Sequence, residues 1–304
     1  MQVPFYIVDV FAAQPLTGNP LAVVRLDCTT MLEGGANRQS HESLFQAIAR
    51  EMNYSETTFI LDTTSRESGY PVRIFTPEQE LPFAGHPTLG TAYVLLKHIL
   101  AQPQRQLTLN LAVGPISVTV EQQQGRELLW MRQNRPEFGQ TLEITPFIEV
   151  LGLDADAFDI AWPIQEVSTG VPFLLVPLRR YADLDRIVIN RAAYYRLIEP
   201  LATKAILVFC PETQSPEQQF AVRMFGEALG VAEDPATGSA NGCLAAYLSQ
   251  YQVLGEARVD IRVEQGAQLQ RPSILHLRSH PSPAGIEVHV GGQVIPIAQG
   301  VLTL

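Results

Sequence analysis

Cysteine is scarce in this chain of 304 residues, which contains three. Cys28, Cys210 and Cys243 are odd in number, lie far apart and form no CxxC pair. Disulfide-stabilised domains and zinc sites usually show paired cysteines at short, regular spacing. His276 and His280 are four residues apart, but they lie in a segment with the composition of a strand and have no carboxylate motif nearby. The sequence therefore predicts no disulfide framework and no metal site.

Basic residues and long apolar runs are also lacking. The chain has 21 Lys and Arg against 31 Asp and Glu, a net charge of −10, and no basic stripe. Such a protein repels phosphate backbones, so we expect no nucleic-acid partner. No apolar run approaches the roughly 20 residues that a membrane helix needs, so we expect no membrane span. The first residues do not resemble a signal peptide, which predicts a cytoplasmic protein.

A glycine-rich phosphate loop following a strand is missing as well, so neither NAD nor ATP is indicated and we expect no cofactor. The chain does have ample material for packed cores, because 46% of its residues are hydrophobic and 17% are charged. A single core rarely grows beyond about 250–300 residues. Two domains of similar size are therefore the expected organisation.

One motif occurs twice, as FAGHPTLGTAYVLL at 83–96 and as EDPATGSANGCL at 233–244. Each copy reads as a helix start, with Pro87 or Pro235 at the first helical position and His86 or Asp234 at the cap. The residues that follow are apolar or small on every side, which predicts buried helices. Unpaired amides at the start of such a helix attract anions, so we expect a carboxylate site.

Other landmarks recur in the same order. GNP at 18–20 matches GVP at 170–172, and VRIF at 72–75 matches VRMF at 222–225. With the match of Pro87 to Pro235, the three offsets are 152, 150 and 148. This order predicts an α/β (α+β) protein with two lobes related by a pseudo-twofold, each a curved mixed or antiparallel sheet around a central helix.

The repeat also predicts where the lobes begin and end. The first lobe is expected over 1–122 and the second over 123–293, with the last strand, about 294–304, crossing back to the first lobe. The tail alternates apolar and polar residues, and Gly291 and Gly292 read as its hairpin turn.

A set of motifs spans nearly the whole chain: DVF at 9–11, GNP at 18–20, NYSETTF at 53–59, RIFTP at 73–77, FAGHPTLG at 83–90, EDPATGSA at 233–240 and VGG at 290–292. With these motifs the sequence resembles the PhzF-type isomerases of phenazine biosynthesis. The resemblance implies the diaminopimelate-epimerase-like fold, with the active site in the cleft between the lobes. It also implies a cofactor-free proton shift and, commonly, a homodimer.

The resemblance assigns roles to individual residues. Glu56 matches the single carboxylic acid that serves the family as general acid/base, and His86 and Asp234 complete the candidate catalytic set. The expected substrate-binding residues are Asn19, Gly85, Gly238 and Ser239. Structural alternatives exist for the catalytic three: Glu56 as a solvent-facing carboxylate on an edge strand, His86 as a loop histidine and Asp234 as an ordinary N-cap.

The leading hypothesis is an isomerase that moves a proton within a small carboxylate-bearing molecule, resembling trans-2,3-dihydro-3-hydroxyanthranilate isomerase. One alternative is a racemase, epimerase or isomerase of another small amino or dicarboxylic acid. Related epimerases use a cysteine at each of the two helix starts, and here Cys243 lies inside its helix, which disfavours that chemistry. The other alternative is a non-catalytic binding or scaffold protein that keeps the cleft.

Overall fold

The fold is described from a computed structural model, which covers residues 1–26, 38–64 and 69–304. Cys28 lies outside these ranges. The chain forms two compact units, one of Met1–Arg132 with Gly291–Leu304 and one of Gln133–Val290. The lobe boundaries at 122 and 293 remain a prediction from the sequence.

The strands are, in chain order, β1 (Gln2–Val10), β2 (Asn19–Arg25), β3 (Glu56–Ile60), β4 (Tyr70–Phe75), β5 (Glu80–Leu81), β6 (Gln106–Leu111), β7 (Gly114–Gln123), β8 (Arg126–Arg132), β9 (Glu137–Leu142), β10 (Ile164–Ser168), β11 (Pro172–Pro177), β12 (Ile206–Cys210), β13 (Phe220–Gly226), β14 (Val231–Asp234), β15 (Val259–Gln265), β16 (Ser273–Ser282), β17 (Gly285–Gly292) and β18 (Val294–Thr303). Most are rich in β-branched and aromatic residues, which suit a pleated, half-buried surface.

The α-helices are α1 (Arg38–Met52), α2 (Gly85–Val94), α3 (Thr145–Leu151), α4 (Tyr181–Asp185), α5 (Arg191–Ile198) and α6 (Gly238–Gln250). Nine of the ten residues of α2 and all residues of α6 from Gly238 to Ser249 are buried. The two helices are apolar or small on every side, so they are packed all round, and the prediction of buried helices is confirmed. Within the described ranges, no helix combines the length and apolarity needed to cross a membrane.

The two units repeat one pattern of strand pairing. In the first unit, β1–β2 is antiparallel, β2–β3 parallel, β3–β4 antiparallel, β4–β6 parallel and β6–β7 antiparallel. In the second, β10, β11, β12, β13, β15 and β16 pair in the same sequence of directions. Helix α2 packs on β1, β2 and β3, and α6 packs on β10, β11 and β16. Each unit is thus a mixed sheet with a central helix, and the predicted fold class is confirmed.

The starts of the central helices differ from the prediction. Helix α2 begins at Gly85 after the N-cap Ala84, and α6 begins at Gly238 after the N-cap Thr237. His86 is therefore the second residue of α2, and Asp234 is the last residue of β14. The prediction that these two residues are the helix caps is wrong.

Strand register explains the difference. Ile74 pairs with Leu81 in the first unit, and Met224 pairs with Asp234 in the second. Leu81 and Asp234 are therefore equivalent positions, 153 residues apart. The helix starts Gly85 and Gly238 have the same offset, so that His86 corresponds to Ser239. The two prolines of the repeated motif are not equivalent: Pro87 lies inside its helix and Pro235 lies in the loop before the other helix.

The predicted hairpin turn at Gly291 and Gly292 is also wrong, because both residues belong to β17. A Cβ atom on Gly291 would lie 2.4 Å from the ring of Trp130, and one on Gly292 would lie 2.4 Å from the ring of Phe11. The glycines therefore leave room for aromatic side chains. The strand that follows, β18, pairs antiparallel with β1 and belongs to the first unit.

Candidate active site

Glu56 is the first residue of β3, opposite Leu21 of β2. Strand β3 is paired on both sides, in parallel with β2 and antiparallel with β4. The whole residue is 9% exposed, and every residue of the strand is buried. Glu56 is therefore an inner-strand carboxyl and not a solvent-facing one on a sheet edge.

The imidazole of His86 lies beside this carboxyl. Its Nε2 atom is 3.2 Å from Oε2 of Glu56, and the residue is 4% exposed. The ring also hydrogen-bonds to the backbone of Pro20. Proline has no amide hydrogen, so this bond goes to the carbonyl oxygen and a ring nitrogen must be the donor. Two residues 30 positions apart in the chain are thus brought together by β2, β3 and the start of α2.

The protonation of His86 follows from its surroundings. Burial lowers its pKa from 6.5 to about 3, partly offset by the bond to Pro20. The ring is thus neutral near pH 7, and with one nitrogen donating to Pro20 the lone pair is on Nε2. That atom is buried and receives no hydrogen bond from the other described residues. The arrangement can therefore hold a proton on Glu56, directed at Nε2.

We expect the His86 imidazole to be uncharged throughout the range in which an ordinary histidine titrates, because its pKa is about 3. In an NMR titration its ring proton should show no inflection between about pH 5 and 8, where an ordinary histidine titrates. The His86→Gln variant identifies the resonance by its disappearance. A full inflection in this range would contradict the neutral assignment.

The same shift has a defined effect on stability. The unfolded chain binds a proton at this histidine below about pH 6.5, whereas the folded protein does not until about pH 3. The contribution of the neutral ring is therefore complete above pH 6.5 and is lost progressively as the pH falls through this window. The wild type should lose free energy of unfolding faster on acidification than His86→Gln.

Asn19 and Gly85 lie close to these two residues in the fold. Asn19 is the fully buried first residue of β2, directly before Pro20, and β2 and β3 run parallel from the same end. Gly85 is the buried first residue of α2, directly before His86. The first unit therefore gathers Asn19, Glu56, Gly85 and His86, its four predicted site residues, at one end of two neighbouring strands.

The second unit gathers the remaining three. Asp234 is 7% exposed, and its Oδ2 accepts a hydrogen bond from the Thr237 hydroxyl at 2.5 Å. Gly238 and Ser239 are the first two residues of α6, and both are buried. Amides at the start of a helix of this length can bind a carboxylate, because they have no partner within the helix.

Residues that the sequence analysis missed hold this loop in place. Gln265, at the end of β15, and Asn241, in the first turn of α6, both hydrogen-bond to Thr237. Thr237 stands inside the repeated motif and could have been identified there. Gln265 has no local signal, because a polar residue at the end of a strand is common and its partners are about 30 residues away.

The second unit has no counterpart of Glu56. Phe59 pairs with Arg73 in the first unit, and Val208 pairs with Arg223 in the second. Counting back three residues along each strand matches Glu56 with Ala205. Cys243 does not replace the acid, since burial raises the pKa of its thiol to about 12 and keeps it protonated. In the part of the chain that the structure describes, no group of three or more His, Cys, Asp or Glu side chains could hold a metal ion.

Known proteins resemble this chain in sequence and in fold. The family described as phenazine biosynthesis-like protein, PhzC-PhzF, matches residues 8–300. Trans-2,3-dihydro-3-hydroxyanthranilate isomerase of Pseudomonas aeruginosa is 32% identical over 298 residues, covering 97% of this chain and 98% of the relative. A phenazine biosynthesis protein of the PhzF family from Bacillus anthracis superposes with a TM-score of 0.88 at 24% identity and full coverage of both chains. A probable proline racemase from Agrobacterium radiobacter has the same fold, with a TM-score of 0.67 at 14% identity over 99% of this chain and 93% of the other.

Proposed function

This chain belongs to the PhzC-PhzF family of phenazine biosynthesis-like proteins and is an isomerase, and from that premise we propose that it shifts a proton between two carbons of trans-2,3-dihydro-3-hydroxyanthranilate or a close relative. The observation that carries the proposal is the buried carboxyl of Glu56 beside the neutral ring of His86. Such a pair can store a proton at a buried position, as a general acid/base requires.

Glu56 is the proposed proton carrier. In its protonated form it gives the proton to one carbon of the substrate, and the resulting carboxylate removes a proton from another carbon. The new C–H bond at the first carbon uses a pair of π electrons of the substrate, and the electron pair released at the second carbon restores a double bond. The product is an isomer, no atom or electron is gained or lost, and Glu56 is again protonated. No cofactor takes part in this scheme.

The polar groups of the substrate need partners of their own. Gly238 and Ser239 at the start of α6 are assigned to its carboxylate, because the amides and the helix dipole favour an anion there. Asp234 is assigned to the amino or hydroxyl group as a hydrogen-bond acceptor, and Asn19 and Gly85 are assigned as further contacts. Homodimeric assembly and a cytoplasmic location remain predictions from the sequence.

Solvent deuterium tests this proposal. The enzyme is incubated in D₂O with trans-2,3-dihydro-3-hydroxyanthranilate, and NMR follows the disappearance of substrate and the label in the product. We expect conversion with deuterium at the newly formed C–H bond, because a carboxyl proton exchanges with solvent whenever the site opens. Absence of both conversion and exchange would contradict the assigned substrate. Exchange into other small amino or dicarboxylic acids would favour a racemase or epimerase instead.

A further inference from the structure

Gln265 is the last residue of β15, is 3% exposed and reaches the loop between β14 and α6. Its Nε2 donates hydrogen bonds to the Asp234 carbonyl oxygen at 2.8 Å and to Thr237 Oγ1 at 3.1 Å. Its Oε1 accepts hydrogen bonds from the Thr237 amide at 3.1 Å and from Asn241 Nδ2 at 2.9 Å. The side-chain amide therefore makes all four of its hydrogen bonds with the segment from the end of β14 to the first turn of α6.

The backbone fixes which way the Gln265 amide is turned. The Asp234 carbonyl can only accept a hydrogen bond and the Thr237 amide can only donate one, so Nε2 must face the first and Oε1 the second. If the side-chain amide were rotated by 180°, its nitrogen would face the Thr237 N–H and its oxygen would face the Asp234 carbonyl oxygen. The side chain therefore has one orientation.

This orientation also sets the direction of the Thr237 hydroxyl. Because Nε2 of Gln265 already donates to Thr237 Oγ1, the hydroxyl hydrogen cannot point toward that nitrogen. It is left to point at Asp234 Oδ2, 2.5 Å away. A hydrogen bond donated to a carboxyl group favours its ionised form and holds it in one rotamer. Gln265 thus acts on the Asp234 carboxylate through Thr237.

The next residue brings β15 close to the same loop. Gly266 has φ +81, and a Cβ there would lie 2.5 Å from the carbonyl oxygen of Pro235. A side chain at 266 would push the loop away, so glycine is required for both the backbone conformation and the close approach. The loop therefore rests directly on the strand end that carries Gln265.

The first unit provides an internal comparison. Tyr70 pairs with Leu109 there, and Phe220 pairs with Val263 in the second unit. Counting two residues on from Leu109 and Val263 matches Gln265 with Leu111. The pairing of β5 and β14 matches Asp234 with Leu81 and, three residues on, Thr237 with Ala84. The first unit thus has an apolar residue at these three positions, whereas the counterpart of Asn241 is the polar Thr88, which hydrogen-bonds to Ala84. The repeated fold therefore does not require polar residues at these three positions, which argues that Gln265 and Thr237 are there to hold Asp234 in place.

We propose that Gln265 is a positioning residue that orients the Asp234 carboxylate through the Thr237 hydroxyl. This inference rests on the proposed function, because it assumes that Asp234 holds a polar group of the substrate. Gln265→Glu keeps the shape and the acceptor oxygen that anchors Thr237 and Asn241. It removes the donor that faces Asp234 and Thr237, so the variant separates orientation of Asp234 from anchoring of the helix start.

The kinetic test uses Gln265→Glu, Thr237→Val and the double variant with trans-2,3-dihydro-3-hydroxyanthranilate at pH 8. Misplacing a substrate-orienting group by about 1 Å can lower the rate by ~10²-fold. Each single variant should therefore have a kcat that is lower by ~10-fold to ~10²-fold and a KM within about threefold of the wild-type value. The two changes break one chain of hydrogen bonds, so the double variant should be no more than about twofold slower than the worse single variant. Multiplied losses, or a change confined to KM, would overturn the inference.

Gln165→Glu is the matched control. Gln165 is similarly buried, and its Nε2 donates to the Gly139 carbonyl at 3.0 Å, away from Asp234. The Gln165→Glu variant should lose thermal stability as Gln265→Glu does, but it should keep the wild-type kcat. An equal loss of kcat in both variants would show that Gln265 has only a structural role. Crystal structures of wild type and Gln265→Glu give a readout independent of turnover. If the wild type does not convert this substrate, the proposed function fails, whereas an unchanged Thr237–Asp234 hydrogen bond in the variant overturns the positioning role.

Discussion

Replacing Glu56 by glutamine is expected to lower kcat by a factor of ~10² or more, the scale typical of losing a general acid/base. Glutamine has nearly the same shape and keeps a polar group beside His86, so the fold and the affinity for carboxylates should remain nearly intact. What it cannot do is give up and regain a proton. Solvent-deuterium exchange into the substrate measures this step directly.

Two comparisons make the result specific. His86→Ala and Ser239→Ala should weaken substrate binding as well as turnover, because we assign both residues to contacts with the substrate. Glu166→Gln is the matched control: Glu166 is a partly buried acid of β10 that accepts a hydrogen bond from Thr203, and it should leave kcat unchanged. If Glu56→Gln exchanged deuterium at a near-normal rate, Glu56 would be a structural residue and Asp234 the next candidate.

Replacing Arg223 by methionine is expected to cause a large loss of the free energy of unfolding. Its guanidinium forms two hydrogen bonds of 2.8 Å with the carboxylate of Glu233 and donates to the carbonyls of Leu184 and Ile187. The side chains of Arg223 and Glu233 are 9% and 14% exposed. Removing the cation leaves a largely buried carboxylate without its partner, which typically costs about 3–5 kcal/mol of the free energy of unfolding.

The repeat supplies the control for this prediction. Arg73 and Glu80 form the corresponding pair in the first unit, but their side chains are 20% and 35% exposed. Solvent screens such a pair, so Arg73→Met should cost roughly 1 kcal/mol or less for the lost pairing. Urea unfolding of both variants measures the difference. Equal losses would show that burial of the Arg223 pair does not set its contribution.

The Arg223 variant also bears on the candidate site, because Glu233 directly precedes Asp234 in β14. Arg223 binds the carboxylate of Glu233 in this strand, and Gln265 binds the Asp234 carbonyl. The two anchors differ in kind: the ion pair holds the strand, whereas the amide of Gln265 binds the end of the strand at Asp234 and Thr237 in the loop that follows.

Much of this protein could be predicted from the sequence alone. The apolar and small residues of 83–96 and 233–244 predicted two buried central helices, since helix burial follows from local composition. The ordered repeats predicted a duplicated α/β fold, and the motifs around Glu56, His86 and Asp234 identified the family. These conclusions depend on short stretches of chain, within which the sequence itself shows the spacing.

The tertiary structure decided which distant residues meet. Strand register, and not motif spacing, matched His86 with Ser239. Gly291 and Gly292 lie in β17 and not in the predicted turn, and their lack of a side chain leaves room for the rings of Trp130 and Phe11. The contact between Glu56 and His86 and the hydrogen bonds from Gln265 to Asp234 and Thr237 join residues about 30 positions apart. Such contacts depend on which strands pair and in which register, since a shift of one residue in the pairing would move every side chain to the opposite face of the sheet. A local sequence pattern does not contain this information, because the paired strands are distant in the chain.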